Sequence, residues 1–135
     1  MAGKKQLLLV DDERDLVFYT KLFLEEQGYE VLEAYDGRQA LELLQSHRPD
    51  LIILDVAMPR MTGWDVLAEI QQDPEKADIP VLMLTARAED ADKARGWELG
   101  VTWYQTKPFE LDELAMIIER ILATVDDDDW DTGEV

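Results

Sequence analysis

Short apolar runs alternate along the chain with stretches in which apolar residues recur at helical spacing. The runs are Gln6 to Val10, Tyr29 to Glu33, Leu51 to Leu54, Val81 to Leu84 and Trp103 to Thr106. The helical stretches that follow begin near Asp12, Gly37, Gly63, Ala88 and Glu110. Repeated strand and helix units of this kind predict an α/β fold on a parallel sheet, because each parallel connection needs a crossover that a helix supplies.

The polarity of the runs predicts their order in the sheet. A strand covered by helices on both faces reads as continuous apolar residues, whereas an edge strand tolerates polar ones. The second run contains Glu30 and Glu33, and the fifth contains Gln105 and Thr106, so both are predicted at the edges. With right-handed crossovers this gives the order 2-1-3-4-5, the doubly wound, flavodoxin-like arrangement whose ligands bind at the carboxyl ends of the strands.

The composition restricts the classes of function. The 135 residues have the length of one domain, and the absence of cysteine excludes disulfides and thiolate metal sites. Residues 1–125 are predicted to form the folded domain, and the acidic residues 126–135 a disordered tail. No apolar run is long enough for a secretory signal or a membrane span, so we expect a cytoplasmic protein without a membrane partner. The net charge of −18 disfavours direct binding of nucleic acid.

Carboxylates follow two of the central strands, at the edge where the fold predicts a ligand site. Asp11, Asp12 and Glu13 follow the first strand, and Asp55 follows the third. Two unit charges about 4 Å apart repel each other by about 4 kcal/mol at an effective dielectric constant of about 20, so such a cluster requires a cation or protonation. Oxygen ligands without histidine or cysteine favour Mg²⁺ over zinc or copper.

The ends of the last two strands add a hydroxyl group and an ammonium group to the same edge, from Thr85 and Lys107. A carboxylate nucleophile, a divalent cation and a cationic side chain are the groups that phosphoryl transfer requires, because positioning and charge neutralisation supply most of its catalysis. Asp55 is the predicted nucleophile because it has its own strand end. Asp11 and Asp12 are better arranged to share a metal ion.

Four motifs in this order resemble those of response regulator receiver domains, with the chemotaxis-type single-domain receivers as the expected kind. The motifs are Val10-Asp11-Asp12-Glu13, Leu54 to Gly63, Leu84-Thr85-Ala86 and Thr106-Lys107-Pro108-Phe109, within a resemblance that covers about residues 5 to 124. The resemblance implies a two-component signalling protein and not an enzyme. Asp55 would accept a phosphoryl group from a sensor histidine kinase or a histidine phosphotransfer protein and become an aspartyl phosphate.

The same resemblance implies a metal site. Asp12 and Asp55 would bind Mg²⁺ together with the backbone carbonyl group of Ala57, and Asp11 would assist through water. Mg²⁺ is accordingly the expected cofactor.

The resemblance also implies a switch. Lys107 and Thr85 would contact the phosphoryl oxygens, and Thr85 and Tyr104 would change the face made by the fourth helix, the fifth strand and the fifth helix. The Lys107–Pro108 peptide bond is expected to be cis. The output would pass to a downstream protein target or to an output domain that this sequence does not contain.

Other interpretations are open on the sequence. A pseudo-receiver or scaffold would bind partners without phosphorylation, and failure to label with acetyl phosphate and Mg²⁺ would identify it. A phosphatase of the haloacid-dehalogenase type also forms an aspartyl phosphate, but it requires an Asp-x-Asp pair where this chain has Asp11-Asp12-Glu13. Tyr104 can also be interpreted as an ordinary aromatic residue of an edge strand, without a role in a switch. Trp64 and Trp97 are expected to pack at helix surfaces.

Overall fold

A computed structural model describes residues 3–86 and 100–134, with side chains described as far as Thr124 in the last helix. Within these ranges the elements are β1 (Gln6–Val10), α1 (Arg14–Glu26), β2 (Glu30–Ala34), α2 (Gly37–Ser46), β3 (Leu51–Asp55), α3 (Gly63–Gln71), β4 (Val81–Thr85), β5 (Trp103–Thr106) and α4 (Leu111–Glu134). The fourth predicted helix, from Ala88, and Trp97 lie outside the described residues. Helix α4 is therefore the fifth helix of the sequence prediction.

The five strands form one parallel sheet in the order β2-β1-β3-β4-β5, which confirms the predicted doubly wound fold. All residues of β3 and β4 are buried, whereas the edge strands β2 and β5 contain exposed residues. Neighbouring strands end in register, because Val10 pairs with Leu54 and Thr85 pairs with Thr106. Residues that follow these strand ends therefore reach the same edge of the sheet.

Two apolar layers hold the helices against the two faces of the sheet. Leu8 and Ile52 belong to the layer shared with α2 and α3, while Leu7 and Ile53 belong to the layer shared with α1 and α4. This alternation arises because successive side chains of a strand point to opposite faces. Burial of one leucine or isoleucine contributes about 1.5–3 kcal/mol, so the central strands form a stable frame for the residues at their ends.

Helix α1 begins at Arg14, with Glu13 as its N-cap residue, and not at Asp12 as the sequence pattern indicated. The backbone N–H of Glu13 donates to Oδ1 of Asp11 at 3.0 Å. This bond turns the chain between β1 and α1. Asp11 and Asp12 consequently lie in a loop at the carboxyl end of β1 and not within the helix.

Helix α4 packs on the sheet through a stripe of apolar residues at helical spacing. Leu111 is half-buried at the start of the helix, and Met116 on the opposite side is 60% exposed. The buried members of the stripe are Leu114, Ile118, Ile121 and Leu122. The stripe thus accounts for the position of α4 beside α1.

The backbone of α4 continues as a helix to Glu134. This differs from the disordered tail predicted for residues 126–135. Extending an existing helix requires no new nucleus, because each added residue contributes one hydrogen bond for one residue ordered. The division into a folded domain at 1–125 and a separate tail stays a prediction. Among the described residues, no helix combines the length and the apolar character needed to cross a membrane.

Candidate functional site

The ammonium group of Lys107 lies among three carboxylates at the carboxyl ends of the strands. Its Nζ atom is 2.9 Å from Oδ2 of Asp11, 2.9 Å from Oε1 of Glu13 and 3.2 Å from Oδ1 of Asp55. The backbone N–H of Lys107 donates to the carbonyl oxygen of Thr85 at 2.7 Å, which holds the start of this loop beside β4. Residues from β1, β3 and β5 therefore meet at one point, as their strand ends predicted.

Burial dominates the electrostatics of two of these aspartates. Asp11 is 1% exposed and Asp55 is 3% exposed. Burial raises the pKa of Asp55 to about 6, with a further contribution from the charge of Asp11, while Lys107 acts in the opposite direction. Burial also raises the pKa of Asp11, although the hydrogen bond from the Glu13 backbone and the Lys107 ammonium group oppose it. Both carboxylates would therefore be stabilised by an additional cation.

The lysine at the centre is held in its charged form. Burial alone would lower the pKa of Lys107, but its interactions with Asp11, Glu13 and Asp55 outweigh burial and raise the pKa above the ordinary value. Lys107 is therefore a permanent cation at physiological pH. It offers one positive charge to three nearby carboxylates, so the site as a whole is strongly negative.

Asp11, Asp12 and Asp55 fit a divalent metal ion. One carboxylate oxygen from each of these residues lies within 4.8 Å of the other two. Oδ2 of Asp11 is buried, and it faces the Lys107 ammonium group at 2.9 Å. A buried oxygen of this kind is suited to a cation, and an all-oxygen donor set suits Mg²⁺.

The loop after β3 is fixed by close backbone contacts. The N–H of Gly63 donates to the carbonyl oxygen of Val56 at 2.9 Å. Position 63 requires glycine, because a Cβ atom there would lie 2.3 Å from the carbonyl oxygen of Asp55. Thr62 and Asp65 form a reciprocal capping box at the start of α3, which satisfies two backbone N–H groups. The first turn of α3 thereby supports the backbone of Asp55.

The other predicted site residues lie at or near the same edge. Thr85 is buried at the end of β4, the strand next to that of Asp55. Ala57 is exposed in the loop after β3. The Lys107–Pro108 bond is cis, as the resemblance implied. Tyr104 is half-buried on β5, where it pairs with Met83; it is not part of the acidic cluster.

The structure adds one contact that the sequence did not predict. Glu13 accepts a hydrogen bond from Nζ of Lys107 at 2.9 Å, although the sequence prediction gave Glu13 no individual role. Its position directly after the two aspartates was the available signal. Adjacency alone could not show which of the three acidic side chains would turn toward a lysine on another strand.

The prediction that Trp64 packs at a helix surface was wrong. Trp64 is 5% exposed, and the centroid of its ring lies 6.4 Å from that of Tyr104. Leu67, three residues further along α3, is also buried, and residues at this spacing share one face of a helix. Trp64 therefore belongs to the core beside the predicted switch residue.

Comparisons with known proteins identify the family of the chain. The family model for the response regulator receiver domain matches residues 7–119. The alkaline phosphatase synthesis transcriptional regulatory protein PhoP of Bacillus subtilis (strain 168) is 42% identical over 118 residues, which cover 87% of this chain and 48% of PhoP. The transcriptional regulatory protein CpxR of Escherichia coli (strain K12) is 44% identical over 117 residues, 87% of this chain and 49% of CpxR. The chain thus spans about half the length of these curated relatives.

A solved structure extends the similarity to the whole fold. The chemotaxis protein CheY4 of Vibrio cholerae superimposes with a TM-score of 0.84 at 35% identity, covering 87% of this chain and 98% of that chain. Fold and site together define a doubly wound α/β signalling domain with an acidic pocket. The chain belongs to the response regulator receiver domain family, which serves two-component signal transduction. Because its relatives include both chemotaxis and transcriptional regulators, the chemotaxis subtype stays a prediction.

Proposed function

We propose that this domain accepts a phosphoryl group on Asp55 from a sensor histidine kinase or a histidine phosphotransfer protein, in a reaction that depends on Mg²⁺. The observation that carries the proposal is the position of the Lys107 ammonium group, 3.2 Å from Asp55 and 2.9 Å from Asp11. A buried carboxylate beside a permanent cation can act as a nucleophile toward phosphorus while negative charge is neutralised. Asp55 fits this role better than Asp12, whose side chain is exposed to solvent.

The ionisation of Asp55 is compatible with nucleophilic attack. A pKa of about 6 leaves the carboxylate mostly ionised at neutral pH. A cation bound nearby favours that charged form further. We assign Mg²⁺ to Asp12, Asp55 and the carbonyl group of Ala57, with Asp11 acting through water. When bound there, the ion would supply positive charge to the phosphoryl oxygens.

Lys107 and Thr85 are assigned to the phosphoryl group itself. The ammonium group of Lys107 already contacts the carboxylate that would carry the phosphoryl group. Thr85 ends the neighbouring strand and supplies a hydroxyl donor at the same edge. A phosphoryl group adds about two negative charges and three acceptor oxygens, so both donors would gain a stronger partner than the free carboxylate offers.

The output of the site would be a change at Thr85 and Tyr104, on the face formed by the fourth predicted helix, β5 and α4. Contact of the Thr85 hydroxyl with a phosphoryl oxygen would favour one of two positions for Tyr104, because a ligand shifts an equilibrium only through its different affinities for the two states. Trp64 contacts the ring of Tyr104 and is a natural reporter of that shift.

Beryllofluoride, a mimic of the phosphoryl group, tests this switch. It should change the tryptophan emission of the parent chain, and most of the change should vanish in Trp64→Phe, which removes the reporter. Thr85→Ala should reduce the change while mimic binding is verified separately by fluorine NMR. An undiminished signal in a Thr85→Ala variant saturated with the mimic would show that Thr85 does not couple Tyr104 to the site. Tyr104 would then be an ordinary edge-strand aromatic residue.

The partners follow from the same proposal. The chain would receive its phosphoryl group from a histidine-containing protein and signal to a downstream protein target or to an output domain. PhoP and CpxR are named as transcriptional regulators, and each is about twice the length that the chain covers. The net charge of −18 argues that this domain itself does not bind nucleic acid directly. A cytoplasmic location and the lack of a membrane partner stay predictions.

Intact-mass spectrometry after incubation with acetyl phosphate and Mg²⁺ tests the phosphoacceptor. The parent chain should gain one phosphoryl group that is lost in base, and Asp55→Asn should gain none. Asp78→Asn is a matched control, because it removes an exposed carboxylate that pairs with Arg48 away from the site. Equal labelling of Asp55→Asn and the parent would refute the assignment. A parent chain that never labels would instead support the pseudo-receiver interpretation.

A further inference from the structure

An apolar groove of about 400 Å³ lies beside the acidic cluster, and the proposed phosphotransfer does not yet use it. It is formed by the start of α1, the end of β4 and the loop after β5. Its lining residues are Glu13, Leu16, Ala86, Lys107, Pro108 and Phe109. Four of these are apolar, and the two charged residues are those joined by the 2.9 Å hydrogen bond.

Lys107 connects this groove with the proposed phosphoacceptor. The residue lines the groove, and its Nζ atom is 3.2 Å from Asp55. A phosphoryl group held between Lys107 and Asp55 would therefore have the groove on one side. The leaving group of a phosphodonor needs a binding site next to the phosphoryl group, and the groove has that position.

We propose that the groove receives the imidazole ring of a phosphohistidine and that Glu13 accepts a hydrogen bond from the free N–H of that ring. This inference rests on the proposed function and identifies the residues that select the donor. The apolar walls match the faces of an aromatic ring, and the carboxylate matches its N–H group. The side chain of Glu13 is 63% exposed, so a partner protein can reach it.

The balance of the transfer step explains why a carboxylate is useful there. A bond forms between an oxygen of Asp55 and phosphorus, and the phosphorus–nitrogen bond breaks with its electron pair left on the ring nitrogen. When the other ring nitrogen carries a proton, the ring departs as neutral imidazole. Without that proton the ring would depart as an imidazolate anion, which is a much poorer leaving group. A hydrogen bond to the Glu13 carboxylate stabilises the protonated ring, because bonds to ionised acceptors are the stronger kind.

Glu13 can hold Lys107 and the ring together. An ionised carboxylate has two oxygens with about four acceptor positions, and the bond from Lys107 uses one of them through Oε1. Acetyl phosphate offers Glu13 no N–H group and departs as an anion, which the carboxylate repels. The groove therefore selects for nitrogen-linked donors that carry an aromatic ring.

Rates of Asp55 phosphorylation with phosphorylimidazole, phosphoramidate and acetyl phosphate test this selection in the full chain with Mg²⁺. Phosphoramidate carries N–H groups without a ring, and acetyl phosphate has neither. Glu13→Gln should lower the ratio of the phosphorylimidazole rate to the acetyl phosphate rate about tenfold, the size expected for one hydrogen bond to a charged group. Any effect that acts only through Lys107 alters all three rates and cancels in the ratio.

Asp15→Asn is the matched control for charge, since it removes an acidic group from the same turn of α1 without lining the groove. Leu16→Ala should lower the ratio of phosphorylimidazole to phosphoramidate several-fold, because it removes apolar contact with the ring. Leu22→Ala, at an exposed position of the same helix, is its control and should leave that ratio unchanged.

Unchanged donor ratios in Glu13→Gln and Leu16→Ala would overturn the inference, provided that circular dichroism shows both variants to be folded. A ratio that falls equally in Asp15→Asn would also overturn it, because the effect would then be one of general charge. Labelling of the parent by acetyl phosphate keeps these outcomes distinct from failure of the proposed function, in which no donor labels Asp55.

Discussion

The interior of β3 and its carboxyl end are both buried but are built from opposite kinds of residue. In β3, Leu51 to Leu54 are apolar and fully covered, and Asp55 at the next position is covered to nearly the same extent. Burial of the leucine and isoleucine side chains stabilises the fold, whereas burial of Asp55 beside Asp11 destabilises it to the extent that the single charge of Lys107 does not compensate for the two carboxylates. The comparison shows that the interior supplies stability which the strand ends partly offset.

The largest effect on stability is expected at Gly63, where the start of α3 packs against the carboxyl end of β3. Gly63→Ala would place a Cβ atom 2.3 Å from the carbonyl oxygen of Asp55 and force the backbone of the site or of α3 to move. We expect a loss of about 3 kcal/mol in the free energy of unfolding, typical of a severe overpacking change. Urea unfolding measures the loss, and Mg²⁺ titration should show weaker binding. Parental values for both would mean that α3 does not position Asp55.

Asp55→Asn should have the opposite effect on stability when metal is absent. Because the pKa of Asp55 is raised to about 6, the folded state binds more protons than the unfolded state, and metal-free stability falls as pH rises toward and through that value. The asparagine variant should be more stable than the parent by about 2 kcal/mol at about pH 7, with a flatter dependence between about pH 5 and about pH 7.

Urea unfolding with a chelator at several pH values measures this difference. Saturating Mg²⁺ should reduce it, because an ion that binds only the folded parent adds to the stability of the parent. A parent whose metal-free stability rises from about pH 5 to about pH 7 would show that burial does not penalise the charged form of Asp55.

Thr20 tests whether a buried polar group without a chemical role also lowers stability. It lies on α1 at 1% exposure, and its hydroxyl oxygen has no hydrogen-bond partner among the described residues. Thr20→Val keeps the shape of the side chain and removes the hydroxyl group. We expect a gain of about 1 kcal/mol in the free energy of unfolding, the low end of the penalty for an unsatisfied buried group. A destabilised variant would indicate that the hydroxyl group does find a partner in solution.

The smallest change in stability is expected at the exposed member of the acidic cluster. Asp12→Ala should raise metal-free stability by about 0.5 kcal/mol, since solvent screens most of the repulsion at an exposed position. The same change should remove most of the affinity for Mg²⁺, because it deletes one proposed ligand. Calorimetric titration with Mg²⁺ separates the two effects. A metal-free variant less stable than the parent would assign Asp12 a structural role.

The sequence predicted the convergence at the strand ends because apolar runs define where parallel strands end. Val10 and Leu54 are the last apolar residues of their runs, and they pair in the sheet, so Asp11 and Asp55 come together without any knowledge of side-chain conformations. The bond between Glu13 and Lys107 and the burial of Trp64 depend on side-chain direction and tertiary packing. Periodicity and composition carry no information of that kind.

The hydrogen bond from Lys107 to Glu13 joins residues that are 94 positions apart, which has a consequence for the order of events during synthesis. A nascent chain exposes its first carboxylates to solvent long before the ribosome adds the lysine that pairs with them. Contacts between such distant positions form late and slow the folding of a domain, because a long loop must be closed first. Docking of β5 therefore completes the sheet and brings a positive charge to the acidic cluster in one step, and a chain arrested before that strand would carry its repelling charges without this partner.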